Sequence, residues 1–162
     1  QEHSSVYDML RYTMGWVDAQ GKPFTGTEGK ALRPTLCLFA CEAMGGSINK
    51  ALPAAVALEL IHNFSLIHDD IQDRDETRHH RPTIWTVCGV PRAIVAGNVL
   101  RTLADVILSD STKGGLSSLD TLVLNDTLTG AYLEMIEGQF LDLSYENRGE
   151  ISLVESVDMI SR

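Results

Sequence analysis

The chain has 162 residues, a formal net charge of -9 and an apolar fraction of 44%, which suits one globular domain with a real core. The acidic balance argues against a nucleic-acid backbone as partner, since that kind of phosphate binding needs a basic face, and no unbroken apolar run approaches the roughly 20 residues that span a bilayer. The cysteines Cys37, Cys41 and Cys88 are too few and too odd in number for a secreted disulfide framework. Gln1-Glu2-His3 opens no basic segment followed by an apolar one, so a soluble, cytoplasmic protein with no membrane span, trimmed at its start, is expected.

In chain order, the signals are almost wholly helical: Ala, Leu, Glu and Met are plentiful and β-branched residues rarely alternate with polar ones. A first helix is expected over residues 3–19, closed by Gly21-Lys22-Pro23. A second, over 31–45, opens in Gly29-Lys30-Ala31-Leu32-Arg33-Pro34, where Lys30 and Arg33 form a basic cluster. Cys37 and Cys41 sit one turn apart in its apolar stretch, which suits packing. Gly45-Gly46-Ser47 separates it from a third helix over 50–73. The polar run around Arg78 to Pro82 follows, then helices over 91–109 and 117–146, divided by Lys113-Gly114-Gly115, and a last helix from 151 to the end. There is no internal repeat or linker. The expectation is an all-α fold, a single helical domain over residues 1–162.

The segment from Leu52 to Asp73 is apolar nearly all round and reads as a buried central helix. Its polar exceptions are ordered. At 100° per residue His62, Asp69 and Asp73 fall on one stripe with Glu59 beside them, and Asn63 and Asp70 form an adjacent line. Polar groups on a buried helix cost kilocalories if left dry, so they should line a water-filled or ligand-filled cavity.

Asp69 and Asp73 lie one turn apart, about 6 Å along the axis, with Asp70 flanking. Like charges this close repel unless a cation joins them, and all-oxygen ligands with room for water suit Mg²⁺. The alternative for an isolated DDxxD is a solvated acidic helix end. A calcium loop fails in both registers. Counting from Asp69, the sixth and twelfth positions are Arg74 and His80; from Asp73 they are Arg78 and Ile84, so the turn glycine and closing glutamate are missing. His62, His68, His79 and His80 have no standard zinc-ligand spacing. Arg74, Arg78 and Arg81 follow the aspartates directly. Guanidinium forks beside a carboxylate-bound metal form an arrangement that holds a diphosphate.

The stretches GKALRP at 29–34, ALELIHNFSLIHDDIQD at 57–73, RHHRPT at 78–83 and EGQFLDL at 137–143 resemble, in order and spacing, successive motifs of the trans-isoprenyl diphosphate synthases. The resemblance implies an antiparallel helical bundle around a deep pocket, usually a homodimer. It implies a Mg²⁺-dependent reaction in which an allylic prenyl diphosphate ionises and isopentenyl diphosphate attacks the carbocation, giving a longer trans-prenyl diphosphate. By the family's pattern Asp69, Asp70 and Asp73 hold the metal with Arg78 assisting. Lys30, Arg33 and His62 bind isopentenyl diphosphate, and Gln139 and Asp142 match a later motif near the allylic site.

Gln139 and Asp142 also continue the line Leu128, Tyr132 and Met135 at helical spacing, so both are expected to point inward, and Gly138 could permit close helix approach. Phe64 and Ser65, five and four positions before Asp69, should floor the prenyl tail. One aromatic there resembles enzymes with medium-length products, in the farnesyl to geranylgeranyl range.

The chain departs from the pattern at three places. His79 stands where the family has a second arginine of the isopentenyl diphosphate site, and His80 replaces a small residue. Glu28-Gly29 replaces a paired glycine. The second aspartate-rich motif does not occur before Arg162, so the chain is expected to be the N-terminal part of a longer enzyme and a poor catalyst alone. A class I terpene cyclase and a noncatalytic subunit of a heteromeric synthase are the alternatives. The first conflicts with Lys30 and Arg33, and the second with the intact aspartates.

Overall fold

The computed structural model describes residues 5–24, 31–146 and 148–162, and divides the chain into two compact units, Gln1–Leu116 and Ser117–Arg162. In the first unit the described residues form α1 (Val6–Thr13), α2 (Leu32–Ala43), α3 (Ile48–Gln72), a two-stranded ribbon of β1 (Thr77–Arg78) and β2 (Arg81–Pro82), α4 (Ile84–Cys88), α5 (Val90–Ser109) and a 3-10 turn over Asp110–Gly114. The second unit holds α6 (Ser118–Tyr145) and α7 (Leu153–Ile160). The all-α class is as the sequence indicates, and the ends of α2, α3, α5 and α6 fall within three residues of the expected ones.

The first helix is shorter than its apolar pattern suggests. Gly15 takes φ +76° and the Trp16 amide closes onto the Arg11 carbonyl at 2.9 Å, a glycine-terminated helix end that stops α1 at Thr13. The chain then folds back through a small loop pinned by a bridge between Val17 and Pro23.

In the core of the first unit α3 packs against α2 and α5. The α5 contribution is a line of small and aliphatic groups, Ala93, Ala96, Gly97, Leu100, Ala104 and Leu108, all buried. Small residues let two helix backbones approach closely, and α3 meets α5 where Gly97 lies against Phe64 and His68. Burial of α3 is one-sided rather than complete, for Leu52 and Val56 remain exposed. Among the described helices α3 is the one long and apolar enough, by length and composition, to cross a membrane; here it packs against protein and carries Glu59, His62, Asn63, Asp69 and Asp70.

The polar run after α3 is built rather than irregular. Arg74 adopts φ +57° and the Asp75 amide returns to the Asp70 carbonyl at 2.9 Å, closing the helix. β1 and β2 pair antiparallel with Thr77 opposite Pro82 and Arg78 opposite Arg81. The two connecting residues, His79 and His80, both have positive φ, +50° and +63°, the conformation of a tight mirror-image hairpin turn.

In the second unit α6 and α7 pack together. Gly138 is buried at their closest approach: a Cβ there would lie 3.1 Å from the Met159 carbonyl, as expected of a glycine that permits helix contact. α7 begins with a capping box in which Ser152 and Glu155 exchange hydrogen bonds. Those bonds and Arg148 push the Glu155 carboxyl down to about 2.

Candidate active site

The polar positions of α3 that face a cavity are Glu59, His62, Asn63 and Asp70, at helical spacing. They form one wall of a cleft of about 150 Å³; the end of α1 and the β1–β2 ribbon form the other. The cleft therefore follows the Asn63–Asp70 line, with His62 and Glu59 at its edge.

Asp70 is buried at 5% exposure. Its Oδ1 accepts a hydrogen bond from Arg78 Nε at 2.8 Å, across the turn between α3 and β1. Burial pushes the Asp70 carboxyl above the ordinary carboxylate range, and the Arg78 guanidinium pulls it part of the way back. Asp69 is half-buried and Asp73 exposed. They occupy the last turn of α3, where the Asp73 amide donates to the Asp69 carbonyl at 2.8 Å. That is the negative end of the helix dipole, an unfavourable place for two carboxylates unless a cation sits with them. Two carboxylates one turn apart suit Mg²⁺, which takes one or two protein carboxylates and fills its octahedron with water and phosphate oxygens. Among the described residues no cluster of three or more potential metal ligands is assembled, and Asp70 is bonded to Arg78.

At the far side of His62, Arg33 Nη1 lies 3.1 Å from His62 Nε2. An arginine can only donate, so His62 accepts there and is neutral, with its proton assigned to Nδ1. Burial, then the Arg33 charge, lower the His62 pKa; Glu59 raises it and Arg78 lowers it further. Asn63 Nδ2 donates to the Glu59 carbonyl at 2.8 Å and to Glu59 Oε1 at 3.2 Å, holding that carboxylate along the helix. His79 is exposed and lines the cleft mouth. The structure thus brings together Arg33, His62, Asp70, Arg78 and His79. Lys30 and Glu28-Gly29 lie outside the described residues.

Phe64 and Ser65 are both buried. Phe64 packs on the His68 ring at a centroid distance of 4.5 Å, on the side of α3 that faces α5 at Gly97. Ser65 Oγ donates to the His62 carbonyl at 2.9 Å. His68 Nε2 is a buried ring nitrogen with no hydrogen-bond partner, and burial lowers the His68 pKa. On α6 the less exposed line runs through Leu128, Tyr132, Met135 and Gln139, but Asp142 is exposed.

The sequence places Arg81 among the anion-binding arginines and does not mark Tyr12. Both line the cleft, and they contact each other. Arg81 Nη2 donates to the Val17 carbonyl at 2.7 Å and to the Tyr12 carbonyl at 3.3 Å, and its guanidinium carbon lies 4.4 Å from the Tyr12 ring centroid. No sequence signal marked Tyr12, because its partners are about 70 residues away.

The model of the polyprenyl synthetase family matches residues 15–162. A (2E,6E)-farnesyl diphosphate synthase of Mycobacterium tuberculosis is 39% identical over 151 residues, covering 93% of this chain and 41% of the relative. A geranylgeranyl diphosphate synthase of Methanosarcina mazei is 41% identical over 134 residues, covering 83% and 40%. Among solved structures, a polyprenyl synthetase from Streptomyces coelicolor superposes with a TM-score of 0.87 at 39% identity, covering 98% of this chain and 46% of that one. The chain spans under half the length of the curated relatives it matches.

Proposed function

This chain belongs to the polyprenyl synthetase family, and on that premise we propose that the protein is a Mg²⁺-dependent prenyltransferase of isoprenoid biosynthesis. It joins an allylic prenyl diphosphate to isopentenyl diphosphate, forming a longer trans-prenyl diphosphate and releasing diphosphate. Its similarity to farnesyl and geranylgeranyl diphosphate synthases supports a product of medium length. The observation that supports the reading is a pair of charged groupings along α3: Asp70 bonded to Arg78 of β1, with Asp69 and Asp73 in the same last turn, and, two turns earlier, His62 bonded to Arg33 of α2.

Asp69 and Asp73 would hold the metal, which supplies positive charge to the leaving diphosphate. Asp70 aims Arg78 at the same leaving group through its 2.8 Å bond. Negative charge that grows as the carbon–oxygen bond breaks meets donors already oriented in a partly desolvated cleft. Arg33 and Lys30 bind the second diphosphate; His62 orients Arg33 through the ring nitrogen that accepts from it, and His79 faces the same cleft. Phe64 bounds the prenyl tail, and apolar walls exclude the water that would quench a carbocation.

The homodimer that the family resemblance implies is the proposed state of the whole protein. Calorimetric titration of the intact protein with inorganic diphosphate tests the site directly. Binding should require Mg²⁺; equal affinity with and without the metal contradicts the reading.

A further inference from the structure

The β1–β2 ribbon presents Arg78 and His79 to the cleft, yet little of its stability is its own. It contains two residue pairs, and a short isolated hairpin is marginal in water. Its turn also lacks the residues such turns favour most: His79 and His80 both occupy the left-handed region, at φ +50° and +63°, which costs a residue with a Cβ more than it costs glycine. Something outside the ribbon must hold it in place.

The β2 strand is tied to the end of α1. Arg81 Nη2 donates to the Val17 and Tyr12 carbonyls, and the guanidinium lies between two rings, 4.4 Å from the Tyr12 centroid and 4.9 Å from that of Phe24. Tyr12, 4% exposed, returns the contact by donating its hydroxyl to the Pro82 carbonyl at 2.6 Å. Charge-assisted bonds to carbonyls and stacking on two rings together fix a guanidinium in orientation as well as position. The loop pinned by the Val17–Pro23 bridge carries Phe24 into this contact.

We propose that Arg81 and Tyr12 are positioning residues, a clamp between α1 and the ribbon that holds the strained His79-His80 turn and so aims Arg78 and His79 into the cleft. The kinetic consequence rests on the prenyltransferase reading; the structural one does not.

The test compares Arg81→Gln, Tyr12→Phe and each of these combined with His80→Gly in the intact protein, by amide hydrogen exchange and by steady-state kinetics with both diphosphates. Exchange over residues 77–82 should quicken by about tenfold in either single variant, the cost of one net hydrogen bond, while α5 keeps its protection. KM for both diphosphates should rise. Adding His80→Gly, which suits the turn conformation, should return exchange and KM toward those of the parent.

Unchanged ribbon exchange in both single variants overturns the clamp. So does a higher KM for Arg81→Gln with normal exchange and no rescue, which would make Arg81 a direct diphosphate ligand. If Arg81→Gln does not fold, Tyr12→Phe, which removes one oxygen and keeps the stacked ring, decides the matter. If the parent makes no prenyl product, the proposed function fails, and exchange still judges the clamp.

Discussion

Asp70 and Arg78 are joined by a 2.8 Å hydrogen bond in which the carboxylate is buried and the guanidinium reaches it from the ribbon that follows α3. Removing the arginine leaves a buried carboxylate without its partner; neutralising the aspartate leaves an arginine that can still turn to water. Arg78→Ala should therefore destabilise the protein by about 1–3 kcal/mol in thermal or denaturant melts, and Asp70→Asn by less. The double variant should lose less than the sum of the two. Additive losses would mean that the pair is not coupled.

Asp69 and Asp73 stand at the negative end of α3. Removing the Asp73 charge should relieve repulsion, so Asp73→Asn should melt no lower than the parent, while Asp69→Asn and Asp73→Asn are both judged by turnover. Turnover should fall by roughly two to three orders of magnitude, the scale seen when one preorganised group at a developing charge is removed. A variant with near-normal turnover would take that residue out of the metal site.

His62 is held neutral by burial and by Arg33. Because its folded pKa is lowered, the unfolded chain binds the proton more readily. The neutral form's contribution is full above the ordinary histidine value and is lost as pH falls below it toward the lowered folded value. Asp70 has a raised folded pKa and works in the opposite sense, losing stability as pH rises from the ordinary carboxylate value toward its raised one. The difference in melting temperature between the parent and His62→Gln isolates the histidine. It should move against the parent as pH is lowered from 7.5 to 5.5, and a constant difference would contradict a neutral, Arg33-bonded His62.

Phe64 and His68 fill the space that Gly97 leaves on α5; a Cβ at Gly97 would meet His68 Nε2 at 2.9 Å and Phe64 Cδ2 at 3.4 Å. Gly97→Ala should cost about 1–3 kcal/mol through overpacking. On the proposal that Phe64 bounds the prenyl tail, Phe64→Ala should shift the product toward longer chains, read by mass spectrometry. An unchanged product distribution would make Phe64 ordinary core.

What could be read beforehand followed from local physics. The polar stripe on α3 and the separators rich in glycine revealed the long helices and the site helix, because period and turn chemistry are local. The end of α1 at Gly15 lay inside an apolar run that mimicked a continuing helix. The tight turn at His79-His80 carries none of the glycine or asparagine by which such turns are recognised. Periodicity placed Asp69 and Asp70 on neighbouring lines, and only the return of the ribbon decided that Asp70 faces Arg78. The contact of Arg81 with Tyr12 joins segments about 70 residues apart, a relation that no spacing rule encodes.

The most direct measurement of the central claim is to give the intact protein Mg²⁺ and an allylic prenyl diphosphate, with and without isopentenyl diphosphate, and to identify the products by mass spectrometry. A longer prenyl diphosphate formed only when both substrates are present is the predicted result. Hydrocarbon or alcohol from the allylic substrate alone, or no product under either condition, would contradict it.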